Sequence, residues 1–397
     1  MPRRLPEPDI PYLRKVLLEM LAIPSPTGFT DTLVRYVAAR LDDLGIPYEL
    51  TRRGTIRATL KGRLNSPDRA ISAHLDTIGA SVRDIKDNGR LCLAPIGCWS
   101  SRFAEGSRVS LFTDAGVLRG SVLPLMASGH AFNTEVDNLP VSWDHIELRL
   151  DVLATSRTEV EALGVHIGDV VAFDPLPEFS ESGHLSARHL DDKGGVAAPL
   201  TALKMVKDSG IEPPIDCHPL FTITEEIGSG AAAALPWDVS EFVGVDIAPV
   251  APGQSSSEHA VTIAMQDSGG PYDYHLSHHL LRLAEQQNIP VRRDLFRYYH
   301  SDAQSAIAAG HDIRTALLAF GCDATHGYER THRDSMKALT QLIAAYIISP
   351  PVFASDAKPT QASLEPFSHQ LGRDTQMEPE TRVPPVDTVV SSGKDKA

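Results

Sequence analysis

The sequence has few cysteines, and the four that it contains (Cys92, Cys98, Cys217 and Cys322) form no C-x-x-C pair. Scattered cysteines of this kind disfavour a disulfide framework and a cysteine zinc site, and they are typical of reduced thiols in a cytoplasm. We therefore expect a cytoplasmic protein whose functional site is built from other side chains.

Positive charge and long apolar runs are also scarce. The formal net charge is −14, which disfavours nucleic acid and anionic membranes as partners, since both attract basic proteins. No apolar run approaches the roughly 20 residues that span a bilayer. The first nine residues carry charge and proline where a signal peptide needs an apolar core. We expect neither a nucleic-acid partner nor a membrane partner.

The chain of 397 residues, 42% hydrophobic and 22% charged, is long enough for two domains and a tail. Helical spacing at 12–21 and 31–44 is followed by short strand-like runs, which predicts an α/β sheet. Further along, helical periodicity gives way to short β-like runs separated by Gly, Asp, Asn and Pro, and the α/β pattern then resumes.

These changes of pattern divide the chain into four parts. We predict a catalytic α/β domain at 1–78 and 178–350, an inserted β-rich domain at 79–177 and a disordered tail at 351–397. The insert has the usual size of a domain. The tail is rich in Pro, Ser and Thr and lacks the apolar surface that would offset the entropy of ordering.

Two adjacent carboxylates, Asp191 and Asp192, precede a glycine pair and an alanine-rich run at 196–206 that is predicted to be a helix. An acidic helix cap is the simplest interpretation, because a helix N-terminus favours negative charge. Neighbouring aspartates also repel each other, and a bound divalent cation would offset that repulsion. Three further clusters of acidic residues or histidine favour the cation.

His74 and Asp76 stand two residues apart at the end of a predicted strand, so their side chains point to the same side. This spacing suits a carboxylate that orients a metal-binding imidazole, although an ordinary polar strand end is the alternative. Glu225 and Glu226 follow another strand. One of them can face a metal while the other acts as a general base. The alternative is that both are ordinary acidic residues at a helix N-terminus, where the helix dipole favours them.

Asp246 interrupts an apolar strand at 243–248. Aspartate is rarely buried without a partner, so this position indicates either a metal ligand or a surface strand end. His326 and His332 both follow a strand that ends near Phe320, and they compete for one further ligand position.

Together these clusters offer two histidines and three carboxylates, which can hold two metal ions if one carboxylate bridges them. Two ions about 3.5–4 Å apart clamp the attacking and leaving oxygens of a hydrolytic reaction. Histidine with carboxylate and no cysteine suits zinc, manganese or cobalt. The strand-end positions also match the edge at which open α/β sheets bind ligands.

The motifs and their order resemble those of the tetrahedral (TET) aminopeptidases, a family of co-catalytic dimetal metallopeptidases. The matching segments are AHLDT at 73–77, LDDKG at 190–194, TEEIG at 224–228, VD at 245–246 and TH at 331–332. A run at 164–171 is similar to the family's signature near the end of its β-barrel dimerisation domain. The resemblance covers about residues 10–350 and is greatest to the branch associated with bacterial N-acetylglutaminylglutamine amide osmoprotectant systems.

The resemblance implies an α/β class, namely a mixed-sheet α/β/α zinc-peptidase-like catalytic domain with an inserted β-barrel (PDZ-like) dimerisation domain. It implies two divalent ions per chain, zinc or else cobalt or manganese, bridged by Asp191 with a cis peptide bond to the next residue. The remaining ligands that it implies are His74 and Asp246 for one ion, and Glu226 and His332 for the other.

By the same resemblance, Asp76 orients the first histidine ligand and Glu225 is the general base. The implied activity is removal of N-terminal residues from short peptides. The implied assembly is a homo-oligomer with a dimer as its building block, possibly within a dodecameric shell.

Two departures from the family pattern affect the predicted site. Residues 300–303 read HSDA where relatives usually carry GTDA, and residues 326–333 replace an Arg-Tyr-x-His-Ser run. The choice between His326 and His332 therefore stays open. Two other functions also stay open, namely a deacylase or dipeptidase acting on a modified small peptide of osmoprotectant metabolism, and a shell-forming scaffold with a degenerate site.

Overall fold

The chain forms a mixed β-sheet flanked by helices, and a β-barrel is inserted into this unit. The computed structural model describes residues 6–236, 238–362, 364, 367–368 and 370. The helices are α1 (Ile10–Leu21), α2 (Asp31–Asp43), α3 (Gly129–Phe132), α4 (Arg157–Ala162), α5 (Leu190–Ser209), α6 (Tyr274–Gln287), α7 (Asp302–Ala308) and α8 (Arg333–Ile347). The strands are β1 (Tyr48–Leu50), β2 (Ile56–Ala58), β3 (Leu64–His74), β4 (Gly79–Ile85), β5 (Leu91–Ile96), β6 (Arg108–Thr113), β7 (Gly116–Pro124), β8 (Ile146–Leu150), β9 (Val170–Phe173), β10 (Glu178–Phe179), β11 (His184–Ala187), β12 (Ile215–Thr222), β13 (Val239–Pro249), β14 (Val261–Asp267), β15 (Gly270–Pro271), β16 (Val291–Leu295), β17 (Arg314–Cys322) and β18 (Glu329–His332).

Four neighbouring parallel strands lie at the centre of the large sheet, in the order β12, β3, β13 and β17. Strand β14 continues the sheet antiparallel to β17, and β2 continues it antiparallel to β12 on the other side. The sheet is therefore mixed, as predicted. Because the four central strands are parallel, their carboxyl ends share one edge, which is where open α/β sheets bind ligands.

Apolar side chains cover both faces of this sheet. One face, with Val245 and Phe320, packs against α1, α2, α5, α6 and α8. The other face, with Phe242 and Leu317, packs against α7. Neighbouring residues on a strand point to opposite faces, so each central strand contributes to both layers. The three-layer α/β/α arrangement is confirmed.

The insert contains a closed antiparallel barrel with the strand order β4, β5, β8, β7, β6 and β9. Its interior is apolar and includes Val82, Leu93, Leu111 and Val171, all of them buried. The barrel strands run from residue 79 to residue 173, inside the range 79–177 predicted for the insert. The inserted β-barrel is confirmed.

The first residues of the predicted disordered tail pack on the catalytic sheet. Val352 is buried, and Arg314 at the start of β17 donates to Asp356 from its Nε over 2.6 Å. A short run of apolar and acidic residues just after residue 351 therefore has partners on the sheet. Residues 371–397 of the predicted tail lie outside the described residues.

The part of the chain that the structure describes contains no helix that is long and apolar enough to cross a membrane. The four cysteines are all free thiols, two of them buried.

Candidate metal centre

Six candidate side chains meet at the carboxyl edge of the four parallel strands. They come from five parts of the chain that meet at this edge. They are His74 at the end of β3, Glu225 and Glu226 after β12, Asp246 in β13, His326 after β17 and Asp191 at the start of α5.

Asp191 lies at the middle of this cluster, and its two oxygens face different imidazoles. Oδ1 lies 3.0 Å from Nε2 of His74, and Oδ2 lies 3.3 Å from Nε2 of His326. Two sets of potential metal ligands result, and Asp191 belongs to both. The first set is completed by His74 and Asp246 and the second by Glu226 and His326, with the ligand atoms of each set within 4.8 Å of one another.

The start of α5 brings Asp191 to this position by leaving regular helical geometry. Asp191 and Asp192 have non-helical backbone angles, and the peptide bond between them is cis, as the resemblance implied. The Asp192 carboxylate accepts the backbone N–H of His74 with Oδ2 over 3.2 Å. The glycine at 195 is required here, because a Cβ would lie 1.8 Å from Oδ1 of Asp192.

Asp76 supports the centre in two ways. Its backbone carbonyl lies 2.8 Å from Nδ1 of His74, closer than its carboxylate oxygen at 3.6 Å. Its carboxylate accepts the backbone N–H groups of Glu225 and Glu226 over 3.1 and 3.3 Å and the hydroxyl of Thr27 over 2.6 Å. Asp76 thus fixes both the imidazole and the turn that carries the two glutamates.

The two glutamates begin a short 3-10 turn that follows β12. Their side chains take different positions. Glu226 accepts the backbone N–H of Ile78 with Oε1 over 3.0 Å, and its Oε2 lies 3.5 Å from Nε2 of His326. Glu225 lies on the other side, with Oε2 3.8 Å from Nε2 of His74. Its side chain is 13% exposed, so it borders the open part of the site.

The structure does not bring His332 to Asp191, which corrects the position that the resemblance implied for it. His332 lies at the far end of β18, where Nε2 is 2.8 Å from the carbonyl of Ser182 and Nδ1 is 3.2 Å from Asp334. His326 takes the place beside Asp191 instead, because it lies in the turn that follows β17. Its Nδ1 is 3.1 Å from the carbonyl of Cys98 at the edge of the barrel.

Glu329 belongs to the centre, and the sequence analysis did not identify it. This buried carboxylate accepts the backbone N–H of Asp191 with Oε2 over 3.1 Å and that of His326 with Oε1 over 2.9 Å. It therefore ties two of the potential ligands to β18. The only sequence signal was a glutamate three residues after His326, which is a weak pattern on its own.

The electrostatics of the cluster favour the binding of positive charge. Burial, followed by the charge of Asp191, raises the pKa of Asp246 and that of Glu226 to about 8. Burial alone would also raise the pKa of Asp191, but hydrogen bonds with His326 and His74 outweigh it and lower that pKa. Burial opposes the charged form of His326, yet the bond to Asp191 raises its pKa to about 10.

The donor set fits divalent metal ions. Imidazole and carboxylate without thiolate suit zinc, cobalt or manganese. Ligands bound at 2.0–2.2 Å stand about 3.4 Å apart around a tetrahedral ion, close to the separations of 3.0 and 3.3 Å measured at Asp191. Cations here would also compensate the buried carboxylates, which otherwise hold protons or repel one another.

Buried imidazoles and carboxylates at the carboxyl edge of a parallel sheet form the site of a metal-dependent hydrolase. The family profile of the M42 glutamyl aminopeptidases matches residues 54–342 of the chain. The chain belongs to this family, and it is an aminopeptidase that uses divalent metal ions. The resemblance identified from the motifs is confirmed.

The comparisons with individual proteins agree with this placement. The chain is 37% identical to a putative aminopeptidase, YhfE, of Bacillus subtilis, and the match covers 85% of this chain and 98% of the relative. It is 26% identical to the lysyl aminopeptidase of Pyrococcus furiosus over 58% of this chain and 64% of that protein. The fold is similar to that of the Pyrococcus horikoshii TET1 peptidase, with a TM-score of 0.74, 22% identity and coverage of 85% and 100%.

Proposed function

We propose that the chain binds two divalent ions, with zinc as the preferred metal, and removes N-terminal residues from short peptides. The observation that supports this most directly is the pair of ligand sets that share Asp191. In this proposal His74 and Asp246 complete one ion site, and Glu226 and His326 complete the other. This assignment replaces His332 with His326 and keeps every other ligand expected from the sequence.

The chemistry that the ions supply when bound is polarisation of the scissile carbonyl and a lowered pKa for the attacking water. Glu225 is the general base in this proposal, since it stands at the open side of the centre beside His74. It takes the proton of the attacking water and passes it to the leaving amine. Asp76 is a positioning residue, because its carboxylate holds the backbone of Glu225 and its carbonyl holds the imidazole of His74.

The cleft beside the centre supports a preference for an acidic N-terminal residue. Its lining includes the apolar side chains of Ile78, Trp99 and Phe173, together with Arg188 and Glu329. Both oxygens of Glu329 already accept backbone N–H groups. Arg188, in contrast, is partly buried, and its backbone N–H donates to the carbonyl of Pro175 over 2.8 Å. Its guanidinium lies close enough to Glu329 for their charges to interact, but it makes no side-chain hydrogen bond or ion pair with any residue that the structure describes. A partly buried guanidinium whose N–H groups make no side-chain hydrogen bond favours a substrate carboxylate and repels a lysine side chain.

This preference can be measured with glutamyl and lysyl p-nitroanilides on the metal-loaded protein. We expect a higher kcat/KM for the glutamyl substrate, and we expect Arg188→Met to lower it by about 10–100-fold, the value of one charge-assisted hydrogen bond. Arg188→Lys is the matched control, because it keeps the charge and retains part of the preference. An unchanged ratio of the two substrates in Arg188→Met would exclude Arg188 as the determinant.

We further propose that the chain assembles as a homo-oligomer through its barrel. The similar TET1 peptidase of Pyrococcus horikoshii is described as able to assemble into a tetrahedron or a large octahedral shell. In this chain the insert exposes large apolar side chains, among them Val117 at 56%, Leu153 at 106% and Ile167 at 68%. Light scattering on the purified protein tests the assembly, and a monomer at micromolar concentration would contradict it.

The free thiols agree with a cytoplasmic location.

Activity on a modified small peptide is the alternative that remains closest to this proposal. A panel of free aminoacyl anilides and N-acetylated peptides separates the two functions. We expect hydrolysis only where the substrate amine is free. Turnover confined to acylated peptides would instead favour the deacylase or dipeptidase linked to osmoprotectant metabolism. Fewer than two divalent ions per loaded chain, with no turnover, would favour the scaffold.

A further inference from the structure

Three histidines and an aspartate form a second cluster at one end of the small sheet made of β10, β11 and β18. Antiparallel pairing of β11 with β18 places His184 opposite His332. The loop before β14 adds His259, whose ring centroid lies 4.4 Å from that of His332. Asp334, in the first turn of α8, completes the group.

We propose that His259, His332 and Asp334 bind a third divalent cation of the zinc type, separate from the centre at Asp191. Oδ2 of Asp334 lies 3.2 Å from Nδ1 of His332 and 3.6 Å from Nδ1 of His259. The ligand atoms of all three residues lie within 4.8 Å of one another. Tetrahedral zinc with bonds of 2.0–2.2 Å separates its ligands by about 3.4 Å, so both measured distances are close to that value.

The surroundings of His332 orient a lone pair toward this position. Nε2 of His332 lies 2.8 Å from the carbonyl oxygen of Ser182 and must carry the proton that this bond needs. Nδ1 therefore presents its lone pair to the side where the Asp334 carboxylate lies. A histidine that binds metal through one ring nitrogen commonly donates the N–H of the other to a backbone carbonyl, as His332 does to Ser182. The backbone N–H of Asp334 also donates to Nδ1 over 3.1 Å, so the same nitrogen caps α8 and the ion competes with this cap.

The loop that carries His259 is held on both sides of that residue. Arg330 of β18 donates to both carboxylate oxygens of Glu258 over 2.9 Å. The hydroxyl of Ser335 in α8 donates to the carbonyl of Ala260 over 2.7 Å. These bonds keep the backbone at His259 beside β18 and α8. The loop therefore loses little conformational entropy when an ion binds.

Water can reach the cluster and complete the coordination. The side chain of His259 is 56% exposed and that of Asp334 is 52% exposed, while His332 is buried beneath them. Three protein ligands and one water form an open zinc site. An ion here would link the loop before β14 to the start of α8 and to β18, the strand that also carries Glu329.

The test is the zinc content of the full chain after equilibrium dialysis at micromolar free Zn²⁺, measured by mass spectrometry of the metal. We compare the unmodified protein with His259→Ala and Asp334→Asn, which both leave the His332 cap in place. His166→Ala, on the barrel, is the control for an ordinary surface histidine. We expect each of the first two variants to bind one zinc fewer per chain, and the control to bind as many as the unmodified protein.

Substitution with Co²⁺ gives an independent signal. The visible absorption of the cobalt-loaded protein should lose one component in His259→Ala, and peptide hydrolysis by this variant should stay unchanged. Both readouts are differences between variants, so they do not depend on how many ions Asp191 binds or on the proposed hydrolytic function. Equal metal content and equal cobalt spectra for the unmodified protein and His259→Ala would overturn the proposal.

Discussion

At the scale of single residues, the site depends on Asp191, whose carboxylate lies beside two imidazoles at once. The oxygens of Asp191 lie 3.0 Å from His74 and 3.3 Å from His326, and the backbone N–H of the same residue is held by Glu329. The bond to Glu329 uses the backbone of Asp191 and not its carboxylate, so it can hold the residue in place whether or not ions are bound, which is the preorganisation that a metal centre needs.

The two late histidines should respond differently to substitution. His326→Ala removes the nitrogen that faces Asp191 and Glu226, so we expect kcat/KM to fall on the order of a hundredfold or more, since a metal supplies several kcal/mol to the transition state. His332→Ala should retain hydrolysis, because its ring contacts Ser182 and Asp334 instead. Kinetics on both variants distinguish them, and the reverse result would restore the assignment of His332.

Glu225→Gln tests the general base. The amide keeps the size of the side chain and loses the proton acceptor, so we expect kcat to fall by about 10²–10⁴. Metal content should stay the same, since Glu225 belongs to neither ligand set. The measurement combines steady-state kinetics with metal analysis of the same sample, and an unchanged kcat would remove Glu225 from this role.

Glu329→Gln tests the residue that sequence reasoning missed. The substitution replaces one of two oxygens that hold the backbone at Asp191 and His326. Support of this kind is worth about 10–100-fold in metal affinity, and we expect a loss of that size in competition with a chelator. The exposed Glu285→Gln is the control for a lost negative charge. If both variants bind metal as tightly as the unmodified protein, Glu329 has no positioning role.

Helices with regular apolar spacing were predictable at the scale of secondary structure. The predicted helix at 31–44 appears as α2 (Asp31–Asp43), with Leu33, Val37 and Leu41 buried on its inner face. Strand β14 was not identified, because its sequence of Ala, Met and Gln among β-branched residues has no clear alternation. Its position antiparallel to β17 depends on contacts with distant residues, which a local pattern does not contain.

Strand β17 passes close to the backbone of the loop before β14, and this contact leads to a prediction at the scale of secondary structure. A Cβ at Gly321 would lie 2.1 Å from the carbonyl oxygen of Ser257. We expect Gly321→Ala to destabilise the protein by about 1–3 kcal/mol, the usual cost of overpacking. Gly129→Ala is the control, because nothing lies within 4 Å of its Cβ position. Thermal unfolding measures both variants, and equal midpoints would show that the strand can shift without cost.

At the scale of the whole molecule, the mixed sheet, the barrel and most of the centre could be predicted from the sequence. His74 and Glu226 were predicted because they stand at or after strand ends, Asp191 because it precedes a helix, and Asp246 because it interrupts an apolar strand. The parallel sheet brings these positions together at one edge. The last ligand was not decided by sequence. His326 and His332 follow the same strand, and only the path of the turn after β17 separates them.

The central claim is that two ions flank Asp191, and anomalous diffraction at the zinc edge tests it most directly. Crystals of the zinc-loaded protein should show two peaks about 3.5–4 Å apart, one beside His74 and Asp246 and the other beside Glu226 and His326. A map without any peak within bonding distance of Asp191 would contradict the account.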